Sequence, residues 1–185
     1  MKRILITCCI LIDCLGCSPT IKCNQSQSSD VCTRILFIGN SYTYTNDLPG
    51  MFTLLANSGG HQVETGMAAQ GGWSLTDHVN SSATLNQITS SMWKFVVLQE
   101  QSEIPAIDNS RSASMYPAAR TLVSQIEGAG ATPIFFLTWA HREGLPDFGI
   151  QDFQTMQFQI DIGYMRIAQE LSALMAPVGY AWLLA

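Results

Sequence analysis

Past residue 32 the sequence contains no cysteine, which removes a thiol nucleophile and a thiolate metal site from the rest of the chain. Basic residues are scarce too. Nine Lys and Arg stand against fourteen Asp and Glu, for a net charge of −5, and no basic run occurs. Nucleic acid needs a clustered positive face, so a nucleic-acid partner is excluded. Histidine occurs only at His61, His78 and His141, with no His-Glu-x-x-His, which leaves a metal hydrolase little support. The chain also lacks Gly-x-Gly-x-x-Gly and Gly-x-x-x-x-Gly-Lys, which argues against a nucleotide or flavin binder. No cofactor and no metal are expected.

What is present is apolar. Hydrophobic residues make up 47% of the 185 and charged residues 12%, enough for one domain with a sizeable core. The first residues read as targeting rather than fold. Lys2 and Arg3 precede an apolar stretch from Ile4 to Leu15, interrupted by Asp13 and too short for a permanent transmembrane helix. Residues 1–17 are therefore expected to be an export signal. Its end, Cys14-Leu15-Gly16-Cys17, is similar to a bacterial lipobox with Cys14 in the usual Leu position, and this would place lipid on Cys17. Cys8, Cys9 and Cys14 would leave with the signal. Cys23 and Cys32 flank the Ser- and Gln-rich stretch Asn24 to Ser29, within an expected flexible tether over 18–33. In an oxidising compartment they close a small loop; otherwise they are two free thiols.

From residue 34 to 185, short apolar runs alternate with longer amphipathic stretches. Ile35-Leu36-Phe37-Ile38, Phe95-Val96-Val97-Leu98 and Pro133-Ile134-Phe135-Phe136-Leu137 read as buried strands, and Gln62 to Met67 as a strand nearer an edge. A helix is expected from Pro49 to about Asn57, capped by Asp47 and ended by Ser58-Gly59-Gly60. A weaker helix is expected between Ser74 and Ile88, and another from Ser112 to Glu127. Phe153, Met156, Ile160, Tyr164, Ile167, Leu171 and Leu174 recur at helical spacing and mark the longest helix. Val178 to Leu184 is expected to begin a fifth strand. Strict alternation implies a parallel sheet covered on both faces, with the working site at the carboxyl ends of its strands.

One of those ends reads Gly39-Asn40-Ser41-Tyr42, where a small residue lets the chain turn and a Ser projects its hydroxyl. Taken alone this is commonly just a turn. Gly71-Gly72 offers backbone N–H groups after the second strand, and Gln99-Glu100-Gln101-Ser102 follows the third apolar run directly. A Ser, a Gly N–H and a side-chain amide at adjacent strand ends are what acyl transfer needs.

The order Gly39-Asn40-Ser41, then Gly71-Gly72-Trp73-Ser74-Leu75, then Leu98-Gln99-Glu100-Gln101-Ser102 resembles the SGNH hydrolase superfamily of GDSL-like lipases and esterases, in its Gly-Asn-Ser branch. The resemblance implies a three-layer α/β/α sandwich with five parallel, flavodoxin-like strands. It implies Ser41 as nucleophile, with its own N–H, the Gly72 N–H and the Gln101 amide as the oxyanion hole. Gln101 stands where the superfamily usually has Asn. Asn40, Trp73 and His141 become candidate substrate contacts, and a small ester or acylated glycan the candidate substrate.

One family feature is absent. The resemblance calls for Asp-x-x-His near the C-terminus, but Ser58, Leu75 and Thr138 precede the three histidines by three positions. The chain is thus expected to be truncated, without its last helix, and a poor catalyst as written. His141, with Glu143 close by, is the one histidine after a strand end and the one candidate for a substitute base. The alternative is a non-catalytic cell-surface module that holds glycans or acyl groups in the same pocket, lined by Trp73, Trp139 and Tyr42.

Overall fold

The computed structural model describes residues 22–24 and 31–184, so the expected signal and Cys17 lie outside the described residues. Five strands form one parallel sheet in the order β2-β1-β3-β4-β5: β1 Thr33–Gly39, β2 Val63–Ala69, β3 Phe95–Leu98, β4 Thr132–Phe136 and β5 Leu174–Ala176. This is the flavodoxin-like order, with the direction of winding reversing at β1 and β3.

Alternation along the strands builds two cores. Leu36, Ile38, Val96, Leu98 and Phe135 face one side, covered by α3 (Leu75–Val79), α4 (Ser82–Thr89), α6 (Tyr116–Gly128) and α7 (Phe153–Glu170). Ile35, Phe37, Val97 and Phe136 face the other, against Leu48 and Ala56 of α2 (Leu48–Ser58) and Val178 of α8 (Val178–Leu183). The α2 helix starts as its sequence dictates: Asp47 accepts from the Gly50 N–H, and Pro49 occupies its first turn.

Three elements differ from the sequence reading. The weak helix splits into α3 and α4, because Ser74 and Ser81 each cap a helix of their own. The helix ending at Gly128 begins earlier, with α5 (Asp108–Ser110) and a π-helical turn, Arg111–Met115. Pro117 explains the turn: its ring would clash with the carbonyl four residues back, at Ala113, and the wider turn relieves that. The third difference is at the end of the chain. The fifth strand is Leu174–Ala176, while Val178 to Leu183 forms helix α8 instead of a strand. Pro177 has no N–H for a ladder, so the strand stops before it.

The described part of the stretch 18–33 is docked rather than free. Cys23 and Cys32 form a disulfide with their Cα atoms 5.6 Å apart, and both are buried. The Cys23 N–H donates to Glu64 on β2, and Arg34 donates to the Asn24 carbonyl while pairing with Glu64 at 3.4 Å.

Candidate active site

Ser41 stands where β1 ends and the four-residue helix α1 (Ser41–Tyr44) begins, at the reversal of winding. The turn is fixed on every side. Asn40 is buried and caps α1: its Oδ1 accepts from the Tyr42 N–H, its Nδ2 donates to the Trp73 carbonyl at 2.8 Å, and its backbone N–H donates to Gln99 Oε1 at 2.8 Å. The same Gln99 oxygen accepts from the Thr43 hydroxyl at 2.9 Å. Gly39 has to be glycine here, because a Cβ would collide with Gln99 Oε1 and Thr43 Oγ1. His78 closes the cage from α3, with Nε2 2.8 Å from the Gly39 carbonyl and Nδ1 3.0 Å from Thr84 Oγ1. Burial holds the His78 pKa below its ordinary value, so its ring is neutral around pH 7 and braces the turn. Ser41 itself is half-buried, and no described hydrogen bond reaches its Oγ or its N–H.

The two flanking loops are tied to each other by Glu100, whose side chain is fully buried. Its Oε1 accepts from the Leu75 N–H at 3.0 Å and the Gln101 N–H at 2.7 Å, joining the Gly71–Ser74 loop to the end of β3. Oε2 has no partner among the described residues. Burial pushes the Glu100 pKa up to about 7, against the lowering effect of the Gln101 and Leu75 N–H groups.

Each expected donor has a definite setting. Gly72 is exposed with φ +77°, a left-handed conformation that favours glycine and leaves space around its Cα. Gln101 Oε1 accepts from the Glu103 and Ile104 N–H groups at 2.8 and 3.1 Å. That fixes the carboxamide and leaves Nε2 as its free donor end. Trp73 packs edge-on against His78, 5.0 Å between centroids.

The two other expected substrate contacts have partners within the protein. Asn40 has its carboxamide committed within the turn, so it supports Ser41 instead of facing a ligand. His141 is held by Ser102, with Nε2 3.1 Å from Ser102 Oγ, and no described hydrogen bond joins it to Ser41 or Glu143. Its loop is fixed by the buried Gln157, which accepts from the Ala140 N–H and donates to the Thr138 carbonyl. Ser102 also hydrogen-bonds the Tyr42 hydroxyl, whose pKa is raised chiefly by burial.

Sequence reasoning missed Gln99, Glu100 and Gln157 as supports of the site. The available signal was polarity: Gln99 and Glu100 follow an apolar strand without a break, where an unpaired polar group would be costly.

No family model and no curated protein matches the chain. Solved structures do. One is a candidate SGNH hydrolase from Slackia heliotrinireducens, 28% identical over 83% of each chain, with a TM-score of 0.70. The chain has the fold of the SGNH hydrolases. A DUF4886 family protein from Bacteroides uniformis matches at 19% identity and TM-score 0.67, over 80% of this chain and 68% of that one. The lipase/acylhydrolase from Enterococcus faecalis matches at 12% identity and TM-score 0.60, over 83% and 80%. These two likenesses carry the fold. Ser41 follows the carboxyl end of β1, at the edge of a doubly wound sheet where ligands bind.

Proposed function

We propose that the chain is an exported serine ester hydrolase in which Ser41 Oγ attacks the carbonyl carbon of a carboxylic or carbohydrate O-acyl ester. The observation that carries this reading is the cage around Ser41. Gln99, Asn40 and His78 fix the turn from three directions and leave the Ser41 hydroxyl and N–H unengaged. In the first step the Oγ–carbon bond forms as the Ser41 proton passes to solvent water, and the carbonyl oxygen becomes an oxyanion. The N–H groups of Ser41 and Gly72 and the Gln101 amide are its donors in this reading, and hydrogen bonds to Glu103 and Ile104 already hold the Gln101 carboxamide in place. The carbon–oxygen bond to the alcohol then breaks, the alcohol leaves with a proton, and water releases the acid from the acyl-enzyme.

The step that the described residues serve poorly is removal of the Ser41 proton. His78 uses both ring nitrogens in the cage, and His141 is bonded to Ser102. Residues 1–185 hold no Asp-x-x-His, and with these residues alone turnover is expected about 10⁴-fold or more below that of a complete triad. Export is supported by the Cys23–Cys32 disulfide, a bond suited to oxidising compartments. Lipid at Cys17 would then hold the domain at a membrane surface.

Hydrolysis of 4-nitrophenyl esters by the wild-type chain and Ser41→Ala tests the proposal. The expected result is slow release of 4-nitrophenol that falls to the buffer rate in Ser41→Ala. Release unchanged by Ser41→Ala would overturn the role of Ser41. A normal enzymatic rate lost in Ser41→Ala would overturn the missing base, and loss of the same rate in His141→Ala would identify the substitute.

A further inference from the structure

Ser41 lines a cavity of about 450 Å³ on the face of the sheet covered by α2 and α8. Leu48 and Met51 of α2, Phe136 at the end of β4, Trp139 just beyond it, and Val178 and Trp182 of α8 supply its apolar lining. No residue bordering it carries a charge. We infer that this cavity is an acyl-chain site, taking an unbranched acyl group of about six to ten carbons. The inference rests on the hydrolase reading for the position of the carbonyl, since an acyl carbon bonded to Ser41 Oγ begins its chain at the cavity wall.

Size is the first argument. A cavity of about 450 Å³ lies within the usual range for small-molecule sites, roughly 300–1,000 Å³. An acetyl methyl would leave nearly all of it unfilled, and unfilled apolar space forfeits the contacts that reward binding. Chemistry is the second. Each methylene transferred from water into such a lining strengthens binding about fourfold until the space is full.

The arrangement of the rings separates an acyl chain from a sugar. A pyranose is held by an open aromatic face together with charged or amide groups for its hydroxyls. Here Tyr42 and Trp139 are stacked on each other, 4.7 Å apart and 8° from parallel, and Trp182 lies 5.0 Å from Trp139 at 34°. Ring faces are thus turned to neighbouring rings, and aliphatic Leu48, Met51 and Val178 complete the apolar surface. Asn46 is the one side-chain amide on the lining, beside the hydroxyls of Ser41, Tyr42 and Thr45. Flexible methylenes fit that lining; a ring of hydroxyls does not.

Binding of 2-alkanones from 2-butanone to 2-decanone tests this without any catalysis, because a ketone carries the carbonyl and chain but no leaving group. Two of the four tryptophans, Trp139 and Trp182, line the cavity, so intrinsic fluorescence reports occupancy. Affinity is expected to rise about fourfold per methylene and level off near eight carbons. Met51→Arg should remove that rise while leaving the thermal midpoint in place, since Met51 is half-exposed on α2. Val178→Phe, which fills part of the space, should move the levelling-off to a shorter chain. Ser41→Ala should keep the series. A flat series, or one unaltered by Met51→Arg, overturns the inference. A flat series beside Ser41-dependent acylation leaves the hydrolase reading standing, whereas a rising series without such acylation supports the cavity and strikes the hydrolase.

Discussion

Replacing Glu100 by Gln is expected to change how stability depends on pH. The carboxyl is fully buried, and its pKa rises from an ordinary 4.5 to about 7. Between those values the folded state holds a proton that the unfolded state has released, so stability falls as pH rises. Its favourable contribution is complete below pH 4.5 and is lost as pH passes about 7. At about 1.4 kcal/mol per pH unit the whole loss is about 3 kcal/mol. Gln keeps an acceptor for the Leu75 and Gln101 N–H groups but does not ionise. Its amide N–H group meets the side of the pocket where Oε2 has no partner, a constant penalty of about 1–3 kcal/mol at every pH. Urea unfolding followed by tryptophan fluorescence at pH 4.5 and pH 8 checks this. The stability of Glu100→Gln relative to wild type should rise by about 3 kcal/mol between the two. A difference that stays constant with pH would refute the account of Glu100 as a buried, reluctantly ionised clamp.

Other expectations follow from the same packing. Gln99→Leu leaves the Asn40 N–H and the Thr43 hydroxyl without their acceptor, and should cost about 2–4 kcal/mol in chemical denaturation. A loss below about 1 kcal/mol would mean that the cage is not the support described here. Cys23→Ser with Cys32→Ser should lower stability by about 2–3 kcal/mol, as expected for closing a loop of this length, and a reductant titration of the wild type should give the same loss. Added imidazole, as an external base, should speed Ser41 acylation by an activated ester several-fold and leave Ser41→Ala unaffected.

Much of this fold is legible in the sequence because its strands are buried on both faces. Ile35–Ile38 and Phe95–Leu98 are unbroken apolar runs, and the second coincides with β3. The α2 helix was readable from Asp47, Pro49 and Gly59, local signals that need no tertiary partner. Failures occurred where a local pattern ran past its cause. Leu171 and Leu174 continue the spacing of α7, yet the helix ends at Glu170 and Leu174 opens β5. Apolar Val178 to Leu183 looked like a strand and forms a helix instead, behind Pro177. At the site, Ser41, Gly72 and Gln101 are named by the family resemblance, which falls on loops that follow β1, β2 and β3. Gln99 and Glu100 could not be assigned roles, since their partners Asn40 and Leu75 lie 59 and 25 residues away. The coupling of His78 to Gly39, 39 residues off, was invisible for the same reason.

The central claim is that Ser41 is the nucleophile, and intact-mass analysis after exposure to 4-nitrophenyl hexanoate tests it most directly. Both steps are slow without a base, but 4-nitrophenolate is a far better leaving group than the Ser41 alkoxide, so acylation outruns release and the adduct should accumulate. The account predicts one hexanoyl group per chain, mapped by peptide fragmentation to Ser41 and missing from Ser41→Ala. No adduct at all, or one that persists in Ser41→Ala, would contradict it.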